Sequence, residues 1–389
     1  MEGSVRKRGK KWYYYFDIGN VNGKRKRIER VGGNTKKEAL ESLRKALSEF
    51  DGTGNYIEES KMIFADYLDF WLENYVKVNC KYLTHRNYSN VVNVHLKPKL
   101  GLYKLKSITP AILQNYLNDM QKEGYAKRTV DDHKGMLSNA FKYSVYPCQY
   151  LKENPMQYVK VPKYDIKKED KLKVITLDDY KRILNRFPEG HKLNIPIQIA
   201  FHTGLRGSEV CGLTWDNIDF NEKTLTVDKI LLTKSGGESE LQTPKTNSSY
   251  RTIAIGDTLI KVLRQHKKSQ LENKLKYGEF YIDNINIDYK NYTLAKEKGF
   301  ICRAENGEVV TTTSLKHLSQ VVNKQLKIPF SFHSLRHTHA TILIEAGANM
   351  KDVQERLGHS RLSTTMDTYS HVTDKMKRDT VDIFENIIL

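Results

Sequence analysis

The chain has 389 residues, with 64 Lys and Arg against 46 Asp and Glu and a formal net charge of +18 at pH 7. This length suits two or three domains, and this basic excess favours a polyanionic partner through phosphate neutralisation and counterion release. Because the sequence shows neither a run of about 18 apolar residues nor a charged-then-apolar leader, we expect no membrane partner and a cytoplasmic location.

The N-terminal residues are predicted to form a small basic sheet. The first 50 residues hold 14 Lys or Arg against 6 Asp or Glu. Apolar and polar residues alternate from Lys11 to Ile18, and Asn22-Gly23 then leads into a basic run, which predicts a β-hairpin. We expect phosphate contacts from the four residues of that run, Lys24, Arg25, Lys26 and Arg27. A hairpin that merely aids solubility is the alternative.

A helix should follow this hairpin. Thr35-Lys36-Lys37-Glu38 has the capping-box pattern, and a helical stripe then continues to Phe50 and can cover one face of the strands. The sequence therefore predicts a three-stranded sheet plus helix over residues 1–54, with a linker starting at Asp51-Gly52-Thr53-Gly54.

Residues 60–158 should form a helical domain. Four amphipathic stripes start near Phe64, Tyr88, Pro110 and Val130, the third with Thr109 as cap. Basic residues near helix starts could position phosphates, although a solvated face explains each of them as well: Lys81, Arg86, Lys127 and Arg128. The charged, apolar-poor residues 159–173 indicate an interdomain linker that would let two domains close round a duplex.

The next informative stretch surrounds an arginine. Thr203-Gly204 ends an apolar helix, and a new amphipathic turn begins near Arg206, so this arginine lies near a helix N-terminus, where phosphates are favoured. Glu209 lies one turn along, where it could orient Arg206 or cap the turn.

Two strands should follow, Leu225–Ile230 and Tyr250–Ile255. Lys245 lies just before the second strand, and Lys234 lies in another plausible loop tip. The tract from Tyr277 to Thr313 is interpreted only as a loop or insertion. The four cysteines form no C-x-x-C pair, and no G-x-x-x-x-G-K-[ST] loop occurs, so we expect neither a metal nor a cofactor.

The C-terminal segment carries groups that suit attack on a phosphodiester. His333 and Arg336, three apart on one helical face, can meet the same phosphate. Leu357-Gly358 should end a helix and place His359 on a turn. Ser363-Thr364-Thr365 could cap a new helix from which Tyr369 projects toward His359. A tyrosine nucleophile needs such cationic groups and a proton donor around it.

These residues resemble the tyrosine recombinase, or phage-type integrase, family. Its C-terminal signature, His-x-x-Arg, then Leu-Gly-His, then a tyrosine about ten residues later, fits His333, Arg336, Leu357-Gly358-His359 and Tyr369. Its other signature fits the run Thr203-Gly204-Leu205-Arg206-Gly207-Ser208-Glu209, followed by Leu213-Thr214-Trp215. The front sheet resembles the arm-site-binding domain of conjugative-transposon integrases, and the four helices resemble the family's core-binding, SAM-like domain.

The resemblance implies a multidomain α+β fold: an N-terminal sheet plus helix, a helical core-binding domain, and a mainly α catalytic domain (174–379) with a small antiparallel sheet. It implies a catalytic set with Glu209 in support: Arg206, Lys245, His333, Arg336, His359 and Tyr369. Lys245 is our choice for protonating the leaving 5′ oxygen, and Lys234 is its competitor. The tail, residues 380–389, would dock on a neighbouring protomer, with folding back in cis as the alternative.

The implied activity is site-specific recombination through a covalent 3′-phosphotyrosyl intermediate, which integrates and excises a mobile element. The implied partners are double-stranded attachment-site DNA and three further copies in a homo-tetramer on two duplexes, in a bacterial, nucleoid-associated setting. Whether an excisionase is also needed stays open. The alternatives are a type IB topoisomerase-like relaxing enzyme and a non-catalytic DNA-binding regulator.

Overall fold

A computed structural model describes residues 3–21, 24–53, 62–164, 173–234, 239–244, 247–282, 285–288, 293–295 and 299–369. The chain divides into two compact units, Met1–Ile166 and Lys167–Leu389. The first unit contains a small sheet and a set of helices, and the second is mainly helical with short strands. The predicted mixed α+β fold class is confirmed.

The N-terminal sheet is antiparallel, in the order β1-β2-β3, and the predicted sheet plus helix is confirmed. Its elements are β1 Gly3–Arg8, β2 Lys11–Val21, β3 Lys24–Gly33 and α1 Lys36–Thr53. Tyr14 and Phe16 of β2 are buried together with Leu43 and Ala46 of α1, because alternate strand residues and one helical stripe face each other. The Asn22-Gly23 turn lies outside the described residues.

The start of α1 follows the capping prediction, but its end does not. The Glu38 N–H donates to Thr35 Oγ1 at 3.3 Å, and the Asn34 N–H donates to the Glu38 carboxylate at 2.7 Å. The helix runs on to Thr53, so the prediction of a linker from Asp51 was wrong. A glycine costs an established helix only about 1 kcal/mol, so Gly52 does not have to end it.

Four helical rods form the rest of the first unit, as predicted. The elements are α2 Phe64–Trp71, α3 Lys77–Asn79, α4 Tyr82–Val91, α5 Lys97–Leu100, α6 Pro110–Lys122 and α7 Lys127–Val145. The π-helical turns Leu72–Val76 and Val92–Leu96 join α2 to α3 and α4 to α5, so each pair makes one rod. Their buried faces form one apolar core.

The second unit begins with helices α8 to α10 and a set of short strands. The elements up to the long helix are α8 Leu177–Arg186, α9 Asn194–Thr203, α10 Gly207–Gly212, β4 Ile218–Asp219, β5 Thr224–Val227, β6 Ile230–Thr233, β7 Ser239–Gln242, β8 Arg251–Ala254 and α11 Asp257–Tyr277. The strands pair antiparallel as β4-β5-β8 and β6-β7. The single strand predicted over Leu225–Ile230 was wrong, because the chain leaves one sheet after Val227 and enters another at Ile230.

The rest of the second unit carries the C-terminal motif residues. Its elements are β9 Ile285–Asp288, β10 Thr293–Ala295, α12 Thr312–Val321, α13 Phe332–Glu345, α14 Met350–Leu357 and α15 Leu362–Thr368. Cys211 and Cys302 are fully buried in the apolar core of this unit. Across the described ranges, no helix is long and apolar enough to cross a membrane.

Candidate active site

Helix α13 carries a buried arginine with a spare hydrogen-bond donor. The Arg336 side chain is 1% exposed, and its Nη1 donates to the Gly204 carbonyl at 2.8 Å. Its Nη2 is buried and has no hydrogen-bond partner among the residues that the structure describes. Burial, followed by the positive charge of Arg206, lowers the pKa of Arg336 to about 9. A buried cationic donor of this kind is costly unless an anion satisfies it.

Gly204 brings the two signature regions together. It ends α9 with a left-handed φ of 70°, so its carbonyl turns toward Arg336. A Cβ at this position would lie 2.8 Å from atoms of both His339 and Leu357. Glycine is therefore required here both for the backbone conformation and for the close approach of α13 and α14.

Arg206, which precedes α10, is held by a buried carboxylate. Glu209 accepts hydrogen bonds from the Arg206 N–H at 2.9 Å and from its Nη1 at 2.8 Å. The same carboxylate accepts from Nη2 of Arg251 at 2.9 Å. Burial alone would raise the pKa of Glu209, but the hydrogen bond and charge of Arg251 and the charge of Arg206 lower it overall. Glu209 is thus an anion shared by two arginines.

The glycine turn after α14 places His359 beside this group. Gly358 has a left-handed φ of 69°, and its carbonyl accepts from Arg206 Nη2 at 3.2 Å. His359 Nδ1 lies 2.8 Å from Thr365 Oγ1. Burial and the charges of Arg336 and Arg206 lower the pKa of His359 to about 4, so the imidazole is neutral at pH 7.

Tyr369 is the residue at which α15 ends, and its side chain is 0% exposed. Its ring packs in a small apolar cluster with residues of α13 and α14: Ala340, Ile344, Val353 and Leu357. Burial raises the pKa of Tyr369 to about 12, although the charge of Arg336 acts in the opposite direction. The residue before α15 is Arg361, so the predicted cap at Ser363-Thr364-Thr365 was wrong.

The Tyr369 hydroxyl contacts a histidine that the sequence interpretation missed. Its oxygen lies 3.1 Å from Nδ1 of His337. The sequence interpretation expected His359 to face the tyrosine, but Nδ1 of His359 is hydrogen-bonded to Thr365 instead. His337 is four residues after His333, one helical turn along the same face, and this spacing could have identified it. The two imidazoles meet edge to face with centroids 4.6 Å apart.

His333 has an exposed side chain next to the arginines. Desolvation of the ring by the surrounding protein and the charges of Arg336 and Arg206 lower the pKa of His333 to about 4. Its imidazole is therefore neutral at pH 7, with one donor nitrogen and one acceptor nitrogen.

An open cleft of about 370 Å³ lies beside these groups. Arg206, Glu209, Pro244 and His359 are among the residues that line it. Lys245 lies outside the described residues. Lys234 forms an ion pair with Glu240 at 2.8 Å. Within the described ranges, no three His, Cys, Asp or Glu side chains are grouped to hold a metal ion.

The remaining basic residues singled out from the sequence lie elsewhere. Lys24, Arg25 and Lys26 belong to β3, but their side chains are not among those described; Arg27 forms an ion pair with Asp17 at 3.2 Å. Four others are exposed on the helical rods: Lys81, Arg86, Lys127 and Arg128. The first lies directly before α4, and the last two are the first residues of α7. Arg128 is paired with Asp132 at 3.3 Å.

Comparison with known proteins identifies the family of this chain. The phage integrase family matches residues 173–376, more than half of the chain; a phage integrase N-terminal SAM-like domain matches residues 63–121, and an arm DNA-binding domain matches residues 4–50. The chain is 31% identical over 401 residues to a XerC-like tyrosine recombinase of Caldanaerobacter subterraneus subsp. tengcongensis, with 98% of each chain covered. It is 26% identical to the ICEBs1 integrase of Bacillus subtilis, with 96% of each covered.

A solved structure shares the fold. The Tn1549 transposon integrase, in complex with transposon right end DNA, matches with a TM-score of 0.65 at 23% identity, covering 82% of this chain and 99% of that one. The resemblance inferred from the two signatures is confirmed. The chain belongs to the phage integrase family of tyrosine recombinases.

Proposed function

We propose that this protein is the site-specific DNA recombinase of a mobile element, and that it cuts and rejoins strands through a covalent 3′-phosphotyrosyl bond at Tyr369. The observation that carries the proposal is the buried Nη2 of Arg336, which has no hydrogen-bond partner in the described part of the chain and belongs to a cluster of cations. A phosphodiester supplies the anionic oxygens that this donor lacks. The recombinase homologues support the same reaction class.

Each residue of the proposed set has one role in the transfer. Arg206 and Arg336 hold the non-bridging oxygens of the scissile phosphate, and neutral His359 donates a hydrogen bond to one of them. His333 assists proton transfer. The Tyr369 oxygen bonds to phosphorus, and the 5′ oxygen leaves with a proton. A 5′ hydroxyl of the partner strand then reverses these steps, so bond energy is kept and no cofactor is needed.

Lys245 is the proposed donor of that proton. Pro244, its neighbour in the chain, lines the cleft next to Arg206 and His359. Lys234, the competitor, has its ammonium group paired with the Glu240 carboxylate. These two contacts support Lys245 as the leaving-group acid.

Attack requires an opening of the protein around Tyr369. The ring is fully covered in the free chain, so a phosphate has no access to its oxygen in this arrangement. The ring is held by apolar packing against α13 and α14 and by the hydrogen bond between its hydroxyl and His337. We propose that DNA in the cleft shifts the segment around α15 far enough for the hydroxyl to meet the phosphate.

The domains divide the work on DNA. Residues 1–54 would bind arm sites through the sheet, residues 60–158 would bind the core site, residues 159–173 would link them to the catalytic domain 174–379, and residues 380–389 would contact another protomer. The family matches to the arm and SAM-like domains support the first two assignments. Basic residues of β3 and of the helical rods would neutralise phosphates.

Exchange between two duplexes cuts four strands, so it needs four tyrosines, and we propose a homo-tetramer. Residues 380–389 lie outside the described part of the chain, and we propose that they dock in trans. Deletion of these ten residues should abolish synapsis but not DNA binding; unchanged recombination would favour the cis alternative. An excisionase remains a further candidate partner, and bacterial cytoplasm at the nucleoid is the proposed location, because the substrate is chromosomal DNA.

The test is covalent trapping on a nicked attachment site, from which the short fragment that carries the freed 5′ hydroxyl diffuses away. We expect a denaturant-stable adduct that is absent for Tyr369→Phe and retained for the control Tyr250→Phe, which changes an exposed tyrosine. Absence of an adduct in the unaltered protein would refute the proposal. Relaxation of plasmid without a defined site would favour the topoisomerase alternative.

A further inference from the structure

We infer that His337 is a catalytic residue, which accepts the proton of the Tyr369 hydroxyl as this oxygen attacks the scissile phosphate. The inference rests on the proposed function and deepens it, because His333, to which proton transfer is assigned above, contacts the His337 ring, whereas the Tyr369 hydroxyl itself contacts His337. The carrying observation is the 3.1 Å separation between Tyr369 Oη and His337 Nδ1. This histidine touches the attacking atom itself.

The hydrogen bond has a defined direction. Burial and the charges of His333 and Arg336 lower the pKa of His337 to about 4, so its ring is neutral at pH 7 and has one acceptor nitrogen. A phenol is a much stronger acid than a neutral imidazole N–H, so the hydroxyl donates and Nδ1 accepts. The tautomer with its proton on Nε2 is therefore the one that binds Tyr369. The proton already points at its acceptor.

The other histidines of the site are differently engaged. His359 Nδ1 bonds Thr365, and His333 meets His337 through an edge-to-face ring contact. Within the part of the chain that the structure describes, no second side chain hydrogen-bonds the Tyr369 hydroxyl. Because His337 follows Arg336 on α13, one helix holds both a phosphate ligand and the base for the nucleophile.

The positive surroundings that keep His337 neutral change when substrate arrives. The ionisable groups around it are His333 and Arg336 on its own helix, His359 on the turn after α14, and Tyr369 at the end of α15. A phosphodiester bound to Arg336 places a negative charge among them and raises the proton affinity of the imidazole. The base thus strengthens when the phosphate is in place, which suits general-base catalysis near neutral pH.

The step balances in both directions. During cleavage the Oη–H bond breaks as the Oη–P bond forms, Nδ1 takes the proton, and the P–O5′ bond breaks with a proton passing from Lys245 to the 5′ oxygen. During rejoining the neutral amine of Lys245 takes the proton of the attacking 5′ hydroxyl as the O5′–P bond forms, and the imidazolium returns its proton to Oη as the tyrosine leaves. Both the histidine and the tyrosine end in their starting states, so strand exchange needs no external base.

Two variants separate the basic role from packing. In His337→Asn an amide oxygen can still accept the hydroxyl hydrogen bond but cannot take the proton, and in His337→Ala both functions are lost. The measurement is the single-turnover rate of adduct formation on the nicked site between about pH 6 and pH 9, with DNA affinity measured in parallel. His317→Asn, which changes an exposed histidine of α12, is the matched control.

We expect both variants to bind DNA normally and to form the adduct about 10²-fold more slowly at pH 7. Their rates should rise about tenfold per pH unit, because hydroxide must then remove the proton, whereas the unaltered protein should depend on pH much less. Free imidazole should partly restore the rate of His337→Ala. The His317→Asn control should keep the unaltered rate and pH profile.

Three results would overturn the inference while leaving the proposed function intact. These are an unchanged rate, a faster rate that would make His337 a restraint on Tyr369, and a slowing that is equal at every pH without rescue by imidazole. If the unaltered protein formed no adduct, like Tyr369→Phe, the proposed function itself would fail and the inference would fall with it.

Discussion

The buried carboxylate of Glu209 accepts a hydrogen bond from Arg251 Nη2 at 2.9 Å, and the two side chains are only 2% and 7% exposed. The same carboxylate fixes Arg206, so a single anion sets the position of one proposed phosphate ligand and neutralises a buried cation beside it. Glu209→Gln should lower the free energy of unfolding by about 3 kcal/mol, because it leaves Arg251 buried without its counterion.

The loss of stability in Glu209→Gln should be accompanied by slower adduct formation, because Arg206 is no longer held in position. Glu222→Gln, at an exposed position, should change stability by less than about 0.5 kcal/mol. Because the folded pKa of Glu209 lies below its ordinary value of 4.5, its contribution is present above pH 4.5 and is lost as the pH falls through the folded pKa. Urea unfolding at pH 7 and below pH 4 measures both effects; equal stability of the variant at pH 7 would contradict the prediction.

The sequence was sufficient for most elements of the first unit and for the residues that carry motifs, but not for the break between β5 and β6 or for the strands β9 and β10. Periodicity and capping patterns predicted the N-terminal sheet, α1 and the four rods, because each depends on local spacing of apolar residues. The glycines at 204 and 358 could be assigned to helix ends for the same reason, and both have the expected left-handed conformation.

The partners within the site could not be predicted in this way. Arg251 is one of many basic residues in the sequence, and its pairing with Glu209, 42 positions away, depends on how β8 packs against α10. The contact of His337 with Tyr369 likewise depends on the direction in which α15 returns to α13. Such long-range geometry leaves no periodic signal.

His339 should make the second compact unit sensitive to acid. Its Nε2 accepts from Arg356 Nε at 2.9 Å and its Nδ1 faces the Phe201 carbonyl at 2.9 Å, so a second proton has no place in the folded state. Burial and the charge of Arg356 lower its pKa to about 4 from 6.5. The unfolded chain therefore binds a proton below pH 6.5 that the folded protein refuses until about pH 4.

The contribution of His339 is present above pH 6.5 and is lost as the pH falls toward 4. From pH 6.5 to pH 5 the loss amounts to about 2 kcal/mol at 1.36 kcal/mol per pKa unit. His339→Gln should remove this part of the slope, so its unfolding free energy should approach that of the unaltered protein as the pH falls. His317→Gln should not alter the slope; parallel curves for His339→Gln would show that the histidine does not titrate as stated.

The choice between the two lysines can be made with a changed leaving group. When the bridging 5′ oxygen of the substrate is replaced by sulfur, the leaving group is a thiolate. A thiolate leaves without being protonated, so this substrate needs no proton donor. Lys245→Ala should therefore cleave the oxygen substrate about 10²-fold more slowly but the sulfur substrate at nearly the unaltered rate. Lys234→Ala, which removes the partner of Glu240, should show the smaller effect on both substrates. Rescue of Lys234→Ala instead would assign the acid to that residue.

The basic run of β3 should contribute to DNA affinity and not to chemistry. Replacing Lys24, Arg25, Lys26 and Arg27 together by Gln should weaken binding to an arm site and reduce the slope of log affinity against log salt by up to about 3.6, since each neutralised phosphate contributes about 0.9. Adduct formation on an isolated core site should be unchanged, because Tyr369 and Arg336 belong to the other compact unit. A control removes the same number of charges from the exposed side of α1, at Lys36, Lys37, Arg44 and Lys45. If both variants lost affinity equally, DNA would be attracted by the overall positive charge of this surface and not by the strand. A larger loss from the strand variant would mean that the sheet itself lies against the phosphates.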